Sequence, residues 1–289
     1  MDVASNLTTV RKERHDEAFA LLTATPDARV LCGGTDLIVA LRKRKITPPL
    51  VVDIKSVPEL APGIVENDGS LRIGATTVLT HVIADERVRA WFPALAEAAH
   101  VVGSIQIRNR ATLAGNLVNA SPAADTAPPL LVYGASVELI SVRETRAVPL
   151  IEFLTGPGRT VLGPGELVTA VVLPVPTEQV GSAFGRMTRR RGVDLATVNL
   201  CCSVSASGVT RFAFGAVGPR PFLVTDETGT LANPGSPADA QADALRALTS
   251  QATPISNVRA SREYREAMLT VLARRALDTA RQRLYEIGP

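Results

Sequence analysis

Along the first third of the chain, short apolar runs alternate with segments whose apolar residues recur at helical spacing. Residues 15–24 are predicted to form a helix, and residues 29–31 a strand that ends at two glycines. A second helix is predicted over 37–45, and a proline pair stops it before a strand at 50–54. This order predicts a compact β-loop-α-β unit.

The middle of the chain continues the mixed pattern with longer connections. A short strand is predicted at 71–73, followed by helices at 78–88 and 94–101. Two more strands are predicted at 136–142 and 167–173. The segment between these two strands is rich in glycine and proline, which is typical of surface loops.

The last third has a different pattern. Three consecutive apolar segments, at 182–186, 197–205 and 209–217, predict an antiparallel meander that begins a second domain. The chain then closes with two helices. The final helix is the clearer one, because it has a continuous apolar face. That face contains Leu269, Ala273, Ala276, Leu277, Ala280 and Leu284.

Composition narrows the class of protein. Of 289 residues, 46% are hydrophobic and 20% charged, which is typical of a globular chain. No apolar run approaches the roughly 18 residues of a membrane span, and the N-terminal residues are too polar for a signal peptide, so we expect a cytoplasmic protein. A net charge of +3 with 4% aromatic residues argues against a nucleic-acid partner.

Cysteine spacing excludes a metal clip or a disulfide framework. The chain has three cysteines, Cys32, Cys201 and Cys202, and no two of them have the spacing of a ligand pair. The adjacent pair lies in a predicted strand. Because successive side chains of a strand point to opposite faces, we expect these two thiols to lie on opposite faces of the sheet.

A first glycine loop follows the strand at 29–31. Gly33 and Gly34 let backbone N–H groups approach an anion, Thr35 adds a hydroxyl, and the start of the next helix adds its positive dipole end. Asp36 is placed to cap that helix. These features suit a diphosphate, although a turn with a purely structural role explains them as well.

A second loop of small and polar residues lies about 80 residues further on, over 112–116. It is followed by Asp125, for which two compatible roles are open. The carboxylate could cap a helix at 127–133, whose Pro128 and Pro129 suit a first turn, or accept hydrogen bonds from sugar hydroxyls. Together the two loops indicate one extended ligand with a diphosphate at its middle.

Six segments occur in a fixed order along the chain: CGGTDL (32–37), VVDIKSVPEL (51–60), LRIGATT (71–77), QIRN (106–109), the 112–116 loop with Asp125, and GELVTAVVLP (165–174). With them the chain resembles, over nearly its whole length, the FAD-binding medium subunit of molybdenum hydroxylases. This is the family of carbon monoxide dehydrogenase and of the flavin domain of xanthine dehydrogenase.

The resemblance implies an α+β fold. A two-part FAD-binding domain of the PCMH (vanillyl-alcohol oxidase-like) type would span 1–177, divided into about 1–57 and 58–177. A smaller C-terminal domain of the CO dehydrogenase flavoprotein type would span 178–289, with an antiparallel three-stranded sheet and helices.

The resemblance also implies the residues that bind FAD. The two glycine loops would hold the diphosphate, backbone N–H groups at 74–76 would reach the flavin, and Arg186 would place a cation near it. The implied set is Cys32, Gly33, Gly34, Thr35, Asp36, Ala75, Thr76, Thr112, Ala114, Gly115, Asn116, Asp125, Val168 and Arg186. Two positions depart from the family pattern: Ala114 replaces a glycine, and Cys32 is at a position where the family commonly has alanine.

The same resemblance implies partner chains. Three cysteines cannot ligate an iron–sulfur cluster pair, so [2Fe-2S] clusters are expected on a small subunit and molybdopterin on a large one, in a dimer of heterotrimers (a heterohexamer). The basic run 189–191 is interpreted as a solvated or partner-facing surface. Two alternatives stay open. One is a stand-alone FAD-dependent oxidoreductase. The other is a non-catalytic nucleotide-binding scaffold that has lost FAD, a loss that the alanine at position 114 would indicate.

Overall fold

The computed structural model describes residues 8–11, 15–190 and 192–286. Arg191, a member of the predicted basic run, lies outside the described residues. The chain forms three larger sheets that follow one another in sequence. We refer to an N-terminal part (residues 8–60), a middle part (64–174) and a C-terminal part (180–286).

The N-terminal part is a three-stranded parallel sheet in the order β1-β3-β2. Parallel strands need crossover connections, and here helices supply them. The elements are β1 (Thr8–Arg11), α1 (His15–Ala24), β2 (Arg29–Leu31), α2 (Leu37–Arg42) and β3 (Leu50–Asp53), followed by a short 3₁₀ helix at Pro58–Leu60. Phe19, Val52 and Leu60 are buried in its core. The predicted β-loop-α-β unit is thus present.

The middle part is a five-stranded antiparallel sheet in the order β4-β5-β10-β6-β7, with helices packed against it. Its strands are β4 (Ile64–Asn67), β5 (Ser70–Gly74), β6 (Ser136–Ile140), β7 (Thr145–Pro149), the short pair β8 (Leu154–Gly156) and β9 (Arg159–Thr160), and β10 (Leu167–Pro174). Its helices are α3 (Leu79–Ala84), α4 (Glu86–Trp91), α5 (Pro93–His100), α6 (Ile105–Arg108), α7 (Leu113–Val118), α8 (Ala127–Val132) and α9 (Leu150–Phe153).

The C-terminal part is an antiparallel meander covered on one face by two helices. The elements are β11 (Val180–Met187), β12 (Val198–Ser205), β13 (Thr210–Gly215), β14 (Phe222–Asp226), α10 (Ala238–Thr249) and α11 (Arg262–Glu286). The meander is confirmed, but the sheet has four strands where three were predicted. The missed strand β14 follows Pro219 and Pro221, whose turn signals obscured it.

Two predicted helices differ from the structure. The helix predicted at 78–88 is broken in two, because the carboxylate of Asp85 accepts hydrogen bonds from the N–H groups of Arg87 and Val88 and so begins α4. The helix predicted at 37–45 ends at Arg42. Asp36 already has helical backbone angles and its side chain makes no capping bond, so the predicted cap is wrong.

The adjacent cysteines lie on opposite faces of β12, as predicted. Cys201 packs into the core of the middle part, and Cys202 packs beneath α11. Both thiols are free, and burial raises the pKa of each well above its ordinary value. We infer that both act as small apolar side chains that pack in the cores on the two faces of the sheet.

Polar contacts, one of them fully buried, join the C-terminal part to the middle part. The hydroxyls of Tyr133 and Ser182 lie 2.5 Å apart. The carboxylate of Glu97 accepts a hydrogen bond from the N–H of Phe184 at 3.2 Å and pairs with Arg283 at 2.5 Å. These contacts fix the position of β11 against the helices of the middle part. Within the described ranges, no helix has the length and apolar character to cross a membrane.

Close packing of α11 on β11 depends on Gly181. An added Cβ there would lie 2.0 Å from the carbonyl oxygen of Ala280 and 2.5 Å from the nitrogen of Leu284, both backbone atoms of α11. We expect Gly181→Ala to lower the free energy of unfolding by about 3 kcal/mol, because the helix must move away from the sheet. Gly63→Ala is the matched control, since no atom lies within 4 Å of its added Cβ. Chemical denaturation measures both, and equal stabilities would contradict the packing.

Candidate functional site

Three loops from two parts of the chain meet around Cys32. Its Sγ lies 3.5 Å from Oγ1 of Thr112 and 3.7 Å from the carbonyl oxygen of Ala75. Next to it, a Cβ added to Gly33 would lie 2.2 Å from the carbonyl oxygen of Arg110. Only glycine permits this backbone approach. The two loops predicted from sequence to share a ligand are therefore in direct contact.

The first loop presents unpaired backbone donors. Gly34 has a left-handed φ of 76°, which turns the chain from β2 into α2. The carbonyl of Gly34 accepts from the N–H of Ile38, so helical hydrogen bonding already begins at the glycine. Among the described residues, no acceptor takes the N–H groups of Gly34, Thr35 or Asp36. This arrangement leaves backbone donors that suit an anionic group.

The second loop begins α7. Thr112 caps the helix, because its Oγ1 accepts a hydrogen bond from the N–H of Gly115 at 3.0 Å. The residue that departs from the family pattern, Ala114, is 4% exposed and packs into the core of the middle part. Its methyl group therefore lies in the core, away from the open side of the loop.

Asn116 connects this loop to the segment that carries the predicted carboxylate. Its Oδ1 accepts a hydrogen bond of 2.7 Å from the hydroxyl of Thr126. Thr126 precedes α8 and makes no side-chain cap, and neither does Asp125, so the capping role predicted for Asp125 is wrong. The prolines Pro128 and Pro129 do occupy the first turn of α8, as predicted.

Asp125 is instead paired with two residues of the C-terminal part. Its Oδ1 accepts a hydrogen bond of 2.8 Å from Nδ2 of Asn199 and lies 3.2 Å from Nε of Arg186. The residue is 7% exposed. Burial raises the pKa of Asp125 to about 6, against the opposing effects of Arg186 and Asn199. The carboxylate is a buried acceptor held by donors from another part of the chain.

Arg186 lies between the two parts. Besides its ion pair with Asp125, it donates through Nη2 to the carbonyl oxygen of Asp194 and through Nη1 to that of Val101 at 3.5 Å. The side chain of Asp194 pairs with Arg189 at 3.1 Å. The structure thus brings Arg186 and Asp125 together.

Most donor groups predicted at 74–76 already have acceptors within the protein. The N–H groups of Gly74 and Ala75 donate to the carbonyl oxygens of Gly63 and Thr169, at 2.9 and 2.8 Å. The hydroxyl of Thr76 donates to a backbone carbonyl oxygen at 2.5 Å. Val168 is buried in the core. Of the backbone donors predicted at 74–76, only the N–H of Thr76 has no acceptor within the described part of the chain.

Sequence reasoning missed Asn199. It is fully buried in β12, and its Oδ1 hydrogen bonds with no described residue. The signal was present in the strand, because an amide that interrupts the apolar sequence VNLCC needs a buried partner. The identity of that partner, Asp125, could be found only from the fold.

The separate sheets and the paired loops are those expected of a nucleotide-binding protein. Comparison with known families agrees with this class. Residues 5–176 match the family described as the FAD binding domain in molybdopterin dehydrogenase. Residues 182–280 match the CO dehydrogenase flavoprotein C-terminal domain. The chain belongs to this family of FAD-binding subunits of molybdenum-containing dehydrogenases.

Individual relatives are similar along nearly their whole length. The xanthine dehydrogenase FAD-binding subunit of Escherichia coli O157:H7 is 34% identical over 271 residues, which cover 91% of this chain and 92% of the relative. The carbon monoxide dehydrogenase medium chain of Afipia carboxidovorans is 30% identical, over 92% of this chain and 94% of the relative. The solved CO dehydrogenase from Oligotropha carboxidovorans superimposes with a TM-score of 0.88 at 30% identity. The match covers 96% of this chain and 98% of the solved chain.

The raised pKa of Asp125 predicts a pH dependence of stability. The folded protein holds this proton more tightly than the unfolded chain, so the contribution of Asp125 is most favourable below pH 4 and is lost as the pH rises to about 6. We expect the unfolding free energy of wild type minus that of Asp125→Asn to fall over this interval, by up to about 3 kcal/mol. Denaturant titrations at several pH values measure it. Asp243→Asn, at an exposed carboxylate, controls for the loss of one charge, and a flat difference for Asp125→Asn would refute the shift.

Proposed function

We propose that this chain is the FAD-carrying electron-transfer subunit of a heteromeric molybdenum hydroxylase. The observation that carries the proposal is the close contact of Gly33 with the carbonyl of Arg110, because it places the first glycine loop beside the segment that leads into the second loop, where both can contact one ligand. When bound, FAD accepts electrons from iron–sulfur clusters of a partner and passes them to an external acceptor. The family supports a subunit role over a stand-alone oxidoreductase.

The residues present fit FAD. No acceptor among the described residues takes the N–H groups of Gly34, Thr35 and Asp36, or that of Ala114 at the start of α7, so these groups are available to a diphosphate. The alanine at position 114 does not fill the loop, because its methyl group lies in the core. This placement argues against a scaffold that has lost its cofactor. Cys32, Gly33, Thr112, Gly115 and Asn116 would shape the two loops.

Asp125 and Arg186 would face the middle or flavin end of the ligand. A buried carboxylate is a strong acceptor, and among the described residues Oδ2 of Asp125 takes no hydrogen bond, so it is available to a sugar or ribityl hydroxyl. Arg186 would contribute positive charge that favours a reduced flavin. Its effect is smaller than that of an unpaired cation, because Asp125 lies 3.2 Å away.

Of the remaining contacts implied by the resemblance, Thr76 offers its backbone N–H. Ala75 and Val168 would act by packing beneath the site. We propose the domain division 1–177 and 178–289, with the first domain split into about 1–57 and 58–177. The three separate sheets support this division.

The partners follow from the redox centres that this chain does not supply. Cys201 and Cys202 are buried in cores, which leaves Cys32 as the one remaining thiol of the sequence. We propose a small subunit with [2Fe-2S] clusters and a large molybdopterin subunit, assembled as a cytoplasmic dimer of heterotrimers. Relatives named as medium chains or FAD-binding subunits support the multi-subunit organisation.

Purification from the native source tests the proposal. We expect the chain to elute in a complex with a cysteine-rich small chain and a long molybdopterin chain, with one FAD per copy of this chain. Native mass spectrometry gives the assembly, and the flavin absorbance of the denatured complex gives the FAD content. A single chain that oxidises substrate without partners would refute the subunit role, and a complex without flavin would refute the cofactor.

The contact between the loops gives a sharper test. An added Cβ at Gly33 would collide with the carbonyl of Arg110, so Gly33→Ala should separate the two loops. We expect FAD binding to weaken at least tenfold, about 1.4 kcal/mol, as measured by fluorescence titration of the deflavinated protein. Gly63→Ala, with open space around the new methyl group, should bind FAD like wild type. Equal affinities for the two variants would exclude this loop from the site.

A further inference from the structure

A cavity of mixed polar and apolar lining lies on the face of the C-terminal sheet that packs against α11. It has a volume of about 330 Å³ and is lined by the end of β11 and the residues after it, by Thr197 just before β12, and by the segment that leads into the first turn of α11. Its chemistry is carried by Met187, Arg189, Thr197, Arg259 and Tyr264. Met187 is on the same face of β11 as Gly185, whose added Cβ would meet Leu272 of α11. Arg186 points to the opposite face, toward Asp125.

Cations dominate this cavity. Arg259 lines it and donates to the carbonyl oxygen of Ala196 at 3.3 Å, and it pairs with no carboxylate within the described ranges. Arg189, half exposed, pairs with Asp194 at 3.1 Å. Next to the cavity, Arg265 is 1% exposed. Of these three guanidinium groups, only that of Arg189 pairs with a carboxylate among the described residues.

Arg265 has only neutral partners. It donates through Nη1 to the carbonyl oxygens of Thr197 and Ala216, the latter at 3.0 Å, and through Nη2 to Oδ1 of Asn257 at 2.9 Å. Burial and the charge of Arg259 both lower the pKa of Arg265. A buried positive charge without a negative partner is costly, so this region lacks a compensating negative charge.

Two further features suit an anionic ligand. Thr197 is 2% exposed, lines the cavity, and its Oγ1 hydrogen bonds with no described residue. The 25-residue helix α11 begins at Arg262, so its positive dipole end adjoins the cavity. A hydroxyl donor, guanidinium groups and a helix start form a donor set suited to phosphate oxygens.

We propose that this cavity binds a small nucleotide, with its phosphate on Arg259 and Arg189 and its base on Tyr264. Tyr264 is 47% exposed at the rim, where a ring of this kind is available for stacking. The cavity volume lies at the lower end of the range for small-molecule sites, which suits a mononucleotide. The concave shape and the aromatic rim favour this ligand over an acidic side chain of a partner protein.

Calorimetric titration of the FAD-saturated protein with AMP and with inorganic phosphate tests the proposal, since saturation with FAD blocks the candidate flavin site. We expect AMP to bind more tightly than phosphate, with Arg259→Ala weakening both at least tenfold. Tyr264→Leu should remove the advantage of AMP and leave phosphate binding unchanged. Tyr264 is half exposed, so this variant is expected to fold even if Arg259→Ala does not.

Arg246→Ala is the matched control, because it removes one exposed guanidinium of α10 that pairs with Asp243. It should bind AMP like wild type. Three results would overturn the proposal: no binding of either probe at about 1 mM, equal affinity for AMP and phosphate in wild type, or equal weakening by Arg246→Ala and Arg259→Ala. Loss of AMP binding on saturation with FAD would assign the signal to the flavin site and would also overturn it.

Discussion

The contact of Asp125 with Arg186 and Asn199 is the interaction on which the candidate site depends. Asp125 belongs to the middle part, and both partners belong to strands of the C-terminal sheet. A buried carboxylate without partners costs several kcal/mol, so the loop that carries Asp125 is stable in this position only while the C-terminal sheet is docked. The C-terminal part therefore completes the site, and it also covers the middle part through the contacts of Tyr133 and Glu97.

A second constraint is the close approach of backbone at Gly33. It brings a loop of the N-terminal sheet against the segment before α7, while Cys32 contacts both Thr112 and Ala75. A diphosphate bound here would contact donors from two parts of the chain at once. Binding of FAD would then stabilise the docking of these parts, because a ligand that binds only the folded state shifts the folding equilibrium.

The sequence predicted the elements and loops well and their contacts poorly. The strand Arg29–Leu31 and the helix α11 with its apolar face could be predicted because both depend on local periodicity. The break at Asp85 was missed because a carboxylate followed by helix-forming residues also suits a helix interior. The cap predicted at Asp36 failed because Gly34 lets helical hydrogen bonding begin two residues earlier. β14 was missed because nearby prolines suggested a loop.

The sequence alone determined the order of the motifs and the resemblance to the family, because both rest on residue types and short spacings. Only the tertiary structure decided what surrounds each group. Asp125 and Asn199 are 74 residues apart, and their hydrogen bond, like the raised pKa of Asp125, exists only after the sheet is docked. The direction of the Ala114 methyl group and the shared surroundings of Arg259 and Arg265 were likewise set by packing. Local pattern specifies elements, whereas burial and electrostatics depend on neighbours that are distant in the chain.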